Sequence, residues 1–154
     1  MIPVDQTIFV GGPDGRIGNC WPAAVASALD LPLEAVPHFW AEADAAGEDD
    51  EGWGRYHTFL RERGLRLEFR GALDVEWPAP EDCVVFGVGP SPRDVQHMVL
   101  LDRWGNLAHD PHPSRAGLTS LAYIEVMARD PRPPAERHTW EPWLDAYWPP
   151  DGAA

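Results

Sequence analysis

The chain has 154 residues, 44% of them apolar, and its 25 acidic against 12 basic side chains leave a net charge of −13. That length suits one compact core, and that charge repels phosphate backbones and anionic lipid heads, so neither a nucleic-acid nor a membrane partner is expected. No apolar run approaches a membrane span and residues 1–5 carry no leader pattern, so the expected location is a reducing cytoplasm in which Cys20 and Cys83 stay free thiols.

An irregular stretch rich in Gly and Asp, residues 11–18, precedes the first predicted helix at 21–29, which Asp30-Leu31-Pro32 closes. Pro22 has no amide hydrogen and a preset φ, so it suits the first turn, where an N–H has no intrahelical partner. Cys20 then sits at or just before the cap. There the free amides and the positive end of the helix dipole favour a thiolate, a nucleophile, over a thiol. The plainer reading is a small apolar residue packing a helix end.

A short turn at 33–36 is stopped by Pro37. Residues 41–52 hold six carboxylates and little to bury, which predicts a solvated loop or a frayed helix. Tyr56, Phe59, Leu60 and Arg63 recur at helical spacing, and Gly64 follows as a stop before a strand over 65–69. A second strand, 83–88, places Cys83 in a buried, inert position and runs through Gly89-Pro90-Ser91-Pro92-Arg93-Asp94 to a third at 97–101.

Asp102-Arg103-Trp104-Gly105 has the Asp-first, Gly-last pattern of a type I turn, and residues 107–110 return as the partner strand. A two-residue tip puts His97 directly opposite Asp110, with Cβ atoms about 4.5–5.5 Å apart. A three-residue tip with Gly105 in αL adds a bulge and moves the register by one. Beyond residue 131, Trp140, Trp143, Tyr147 and Trp148 suit one short helix packing its aromatics on the domain, or an aromatic platform for a ligand. The whole reads as one α+β domain: a helical half over 1–64, a sheet half over 65–128 and a Trp/Pro-rich tail over 129–154.

The order thiol, imidazole, carboxylate is the one thiol catalysis needs. If Asp110 accepts a hydrogen bond from one nitrogen of His97, it fixes the tautomer that leaves the other nitrogen for the thiol. The alternative is a cross-strand polar pair at a sheet edge. His109, Asp110 and His112 also invite a zinc reading, but neighbours along a strand point to opposite faces and no Cys or His pair completes a site, so neither metal nor cofactor is expected. His38, His57 and His138 read as helix-end, surface and tail residues.

Cys20-Trp21 at a helix start, His97 opening a strand and Asp110 on the next resemble the papain-like cysteine peptidase superfamily, in particular its small bacterial peptidase-like branch. Gln6-Thr7, Gly18-Asn19-Cys20, Leu31-Pro32-Leu33-Glu34-Ala35-Val36-Pro37-His38-Phe39 and His109-Asp110-Pro111-His112-Pro113-Ser114 are similar to short proteins of bacteria and their phages. The likeness spans residues 6–118. It implies a papain-like α+β fold in which the Cys-bearing helix packs on an antiparallel sheet carrying His97 and Asp110. Cys20 is then the nucleophile, His97 the general base and acid, and Asp110 the orienter, where papain itself has Asn.

Gln6, with the Cys20 amide, is the implied oxyanion donor. A Gly-rich insertion separates it from Cys20 further than is usual, Asp14 stands nearer the usual place, and Asn19 is the alternative donor. Trp21 and Ser91 are expected to contact substrate. The implied reaction is acyl transfer through a Cys thioester from a peptide or small amide. Water as acceptor makes a peptidase or amidase; an amine makes an amide-forming acyltransferase or transglutaminase-like enzyme. A non-catalytic binding module retaining the fold is the reading from another class, and the oligomeric state is left open.

Overall fold

The computed structural model describes residues 1–10, 15–48 and 51–137; the four tail aromatics and His138 lie outside them, as does Asp14. Among the described residues three helices come first, α1 (Cys20–Leu29), α2 (Phe39–Ala46) and α3 (Gly52–Glu62), with a 3-10 turn at Leu33–Ala35. Five strands follow, β1 (Leu65–Gly71), β2 (Val84–Pro90), β3 (Gln96–Leu101), β4 (Leu107–His109) and β5 (Tyr123–Arg129), before a last 3-10 turn at Pro134–Glu136. They form one antiparallel sheet in the order β1-β5-β2-β3-β4, so the fold is α+β. No helix among the described residues is long and apolar enough to cross a membrane.

Small side chains decide how α1 packs. Ala23, Ala24, Val25, Ala26 and Ser27 are all buried, which lets the helix axis approach β3 closely. Of the two forms expected for the acidic segment 41–52, its first half takes the helical one, as the end of α2. Phe39 and Ala43, one turn apart, are fully buried against α3, while Glu42 and Asp44 stay in water and Gly47 closes the helix at φ 71°. Gly52 opens α3 directly under an indole: a Cβ there would stand 2.5 Å from the Trp40 ring.

The main core lies between the helices and the sheet. Val25, Phe39, Tyr56 and Leu60 meet Phe86, Val88, Met98, Leu100 and Met127, each large side chain contributing about 1.5–3 kcal/mol by its burial. A smaller cluster of Ala79, Val85 and Ile124 holds the opposite sheet face.

Two features of the sheet differ from expectation. Strand β5 has no predicted counterpart, yet it pairs with both β1 and β2 in the middle of the sheet; Glu125 interrupts its apolar alternation and hides it. The β3–β4 hairpin takes the bulged form. Gly105 is left-handed at φ 84°, and a register shift separates the pairs Leu100↔His109 and Leu101↔Leu107. His97 therefore has no direct strand partner in β4, and Asp110 reaches it from just beyond the strand end.

Candidate active site

The N-terminal segment is laced to the start of α1. Asn19 Oδ1 accepts the amides of Thr7 and Ile8 at 3.0 and 2.9 Å, its Nδ2 donates to Thr7 Oγ1 at 3.1 Å, and its own amide donates to Ile8 O at 3.1 Å. About two helix turns further on, Ser27 Oγ accepts the Val4 amide at 2.8 Å. This lacing brings Gln6 to the α1 start despite the long insertion. The Gln6 amide donates to Pro111 O at 2.9 Å and its Nε2 to Ile8 O at 3.1 Å, while the buried Oε1 has no partner. Gln6 thus lies between the helix that begins with Cys20 and the segment that carries Asp110, with one of its two Nε2 hydrogens uncommitted.

Cys20 is the first residue of α1 and only 4% exposed. Because β4 pairs only with Leu100 and Leu101, the β3 edge at His97 and Met98 stays open. The thiol occupies that edge beside the backbone amides of Met98, Trp21 and Cys20 itself. The low-pKa thiolate expected from the cap position is corrected here. Burial pushes the thiol up from its ordinary value, and those three amides and the Arg93 guanidinium offset the push without overcoming it.

His97 and Asp110 are 2% and 1% exposed, and the imidazole Nε2 lies 2.7 Å from Asp110 Oδ1. With Nε2 held, Nδ1 is the nitrogen left for other work. Asp110 also accepts the amides of His112 and Gly117, at 2.8 and 2.7 Å. Burial raises this carboxyl, but the bonds from His97, His112 and Gly117 outweigh it and hold Asp110 below the usual range. Burial lowers His97, and Asp110 only partly restores it. The resting set is therefore a neutral thiol and a neutral imidazole beside an ionised carboxylate. Among the described residues no hydrogen bond joins the thiol to the imidazole.

Several expected roles meet different surroundings. The Ser91 hydroxyl is buried and donates to Val95 O at 3.0 Å, so it shapes the β2–β3 turn. Trp21 is half-buried, packs on Trp40 at 5.3 Å between ring centroids and donates its indole N–H to Glu125 Oε1 at 3.4 Å. Cys83 is not buried within a strand: it precedes β2, half-exposed, with its thiol donating to Pro80 O at 3.1 Å. His57 lies inside α3, partly exposed, where burial lowers it to about 4. His38 caps α2 with its Nε2 3.1 Å from Ile17 O, and His109 Nε2 lies 3.0 Å from Val4 O. Among the described residues no three His, Cys, Asp or Glu side chains converge as metal ligands would.

Glu125 and Arg93 were not among the predicted site residues. Glu125 is fully buried, and its Oε2 and the neighbouring Tyr56 hydroxyl both lack a hydrogen-bond partner in good geometry. Burial raises this carboxyl to about 8. The available signal was a lone charge inside an otherwise apolar alternation. Arg93 extends from the β2–β3 turn, and its charge acts on Cys20, His97 and His112 alike.

No family model, curated protein or solved structure matches this chain.

Proposed function

We propose that the protein is a papain-like thiol enzyme that transfers an acyl group through a Cys20 thioester, with hydrolysis of a peptide or small amide as its reaction. The observation that carries the reading is the buried 2.7 Å bond from His97 Nε2 to Asp110, which frees Nδ1 one residue from the amide that meets the thiol. In this mechanism His97 Nδ1 takes the Cys20 proton as sulfur attacks the carbonyl carbon. A neutral resting pair makes this general-base activation at the moment of attack, with no standing thiolate–imidazolium pair.

The oxyanion of the tetrahedral intermediate meets the Cys20 amide at the α1 N-terminus and the uncommitted Nε2 hydrogen of Gln6. His97 returns its proton to the leaving amine, and the thioester remains. Water, deprotonated by the same imidazole, then attacks the thioester, and the thiol leaves with the proton. Asp110 keeps the ring aligned throughout and stabilises the transient imidazolium. Asn19, its side chain engaged by Thr7 and Ile8, braces the segment that carries Gln6 in this scheme.

Intact-mass analysis after exposure to a panel of N-acyl peptide thioesters and activated esters tests the reading. An acyl adduct on Cys20, absent in Cys20→Ala and in His97→Ala, is expected. Acylation divided equally between Cys20 and Cys83 would overturn it. The second reading, a binding module retaining the fold, is favoured by the lack of a direct thiol–imidazole hydrogen bond. Specific peptide binding that Cys20→Ala leaves intact, without any adduct in the native protein, selects it.

A further inference from the structure

Acids outnumber bases about two to one in this chain, and six of its twelve arginines, Arg55, Arg66, Arg70, Arg103, Arg115 and Arg132, lie within ion-pair distance of a carboxylate. Arg93 differs. Among the described residues it has no carboxylate partner, and its guanidinium is steadied on one side by Nη1 donating to Ser114 Oγ at 2.9 Å. The remaining donors of the fork are free to meet a ligand.

The position of this cation is built. Its amide donates to Ser91 Oγ at 3.4 Å, and Ser91 in turn bonds Val95 through both amide and hydroxyl, at 2.9 and 3.0 Å. Ser114 Oγ lies 2.8 Å from His112 Nδ1, the His112 amide bonds Asp110, and the His112 and His97 rings stand edge to face at 6.3 Å between centroids. One run of contacts thus ties Arg93 to the imidazole of the site. In keeping with that placement, its charge lowers the thiol and both imidazoles together.

We infer that Arg93, with the half-exposed His112 beside it, anchors a carboxylate of the substrate, so that the preferred acyl donors are acidic peptides or amides whose carboxylate lies within a residue or two of the reacting bond. This rests on the acyl-transfer reading above. A planar fork accepts a carboxylate in two parallel hydrogen bonds. In a chain of charge −13, such a substrate is otherwise repelled, and a cation tied through Ser114 and His112 to the imidazole of the site reverses the sign locally.

The charge at the thiol is readable without a substrate. Alkylation of Cys20 in the Cys83→Ser protein is compared for iodoacetate, which carries the carboxylate, and iodoacetamide, which does not. The iodoacetamide rate reports the thiolate fraction, so the ratio isolates the attraction. Arg93→Gln is expected to lower the ratio roughly fivefold, the scale of one unit charge several ångströms away in a partly hydrated site. Arg93→Lys is expected to keep most of it, and added salt to reduce it in the native protein. A ratio unchanged in Arg93→Gln overturns the anchor. Absence of Cys20 acylation with the iodoacetate preference intact overturns the acyl-transfer reading and leaves the anchor standing.

Discussion

Asp110 and Glu125 are both removed from water, at 1% and 0% exposure, yet they rest in opposite protonation states. Asp110 stands where the chain leaves β4 and turns, so the amides of His112 and Gly117 have no ladder to join and point at the carboxylate, alongside His97. Glu125 sits in the middle of β5, between β1 and β2, where the backbone amides are committed to neighbouring strands. The Trp21 indole at 3.4 Å and, in poorer geometry, the Tyr56 hydroxyl are what serve it among the described residues. Burial penalises both charges, and the supply of donors decides which survives. Turns can hold a buried anion; central strands hold the acid form. The first suits an orienter of a base, the second a polar plug beneath the helix that carries the thiol.

The largest expected effect lies on the Asp110 side. Cys20→Ala and His97→Ala should each reduce turnover by about 10³-fold or more, and the double variant should be no worse than either, because the two act as one unit. Steady-state rates check this, and additive losses would show that the residues work separately. Next comes Gln6→Ala, with a kcat loss of roughly 10²–10³ and little change in KM. Asn19→Ala should instead lower the melting temperature, through a loss of roughly 1–3 kcal/mol as the Thr7 and Ile8 amides lose their acceptor.

The Glu125 side speaks through pH. Its folded value is raised to about 8, so the stability it contributes is full below the ordinary carboxylate range and is lost as pH climbs from there through about 8. Urea unfolding from pH 5 to 9 should show a decline of a few kcal/mol in the native protein and a flatter profile in Glu125→Gln. Asp110 carries the opposite sign: its folded value is depressed, so its contribution disappears as pH falls through the carboxylate range, and Asp110→Asn should flatten that acid limb. If both substitutions flatten the same limb, the contrast between the two carboxyls fails.

The smallest effect concerns the thiol. With Cys20 raised by burial, its iodoacetamide rate should keep rising through and beyond the ordinary thiol range. A plateau already reached below pH 8 would reveal a resting thiolate.

Much of the local structure was legible in short stretches. Pro22 and the alanines after Cys20 mark the start of α1, and Asp102 and Gly105 mark the hairpin turn between β3 and β4. The apolar runs beginning at Val84 and Met98 follow the period of buried strands, and Gly64, at φ 72°, ends α3 as its lack of a Cβ allows. The spacing of the hairpin brought His97 and Asp110 into one neighbourhood, with a bulged register among the forms it permits.

What tertiary structure alone decided are quantities that depend on partners distant in the chain. The first half of the acidic segment is helical because Phe39 and Ala43 find α3, a gain invisible in its composition. Strand β5 exists because β1 and β2 flank it, and Glu125 stays protonated because its burial between them outweighs the few donors that reach it. The helix dipole at Cys20 is local and readable, but the desolvation that outweighs it comes from burial in the assembled fold. Propensity and capping act over a few residues; burial and hydrogen-bond supply are set by the whole fold, and here they determine the charge on each group of the site.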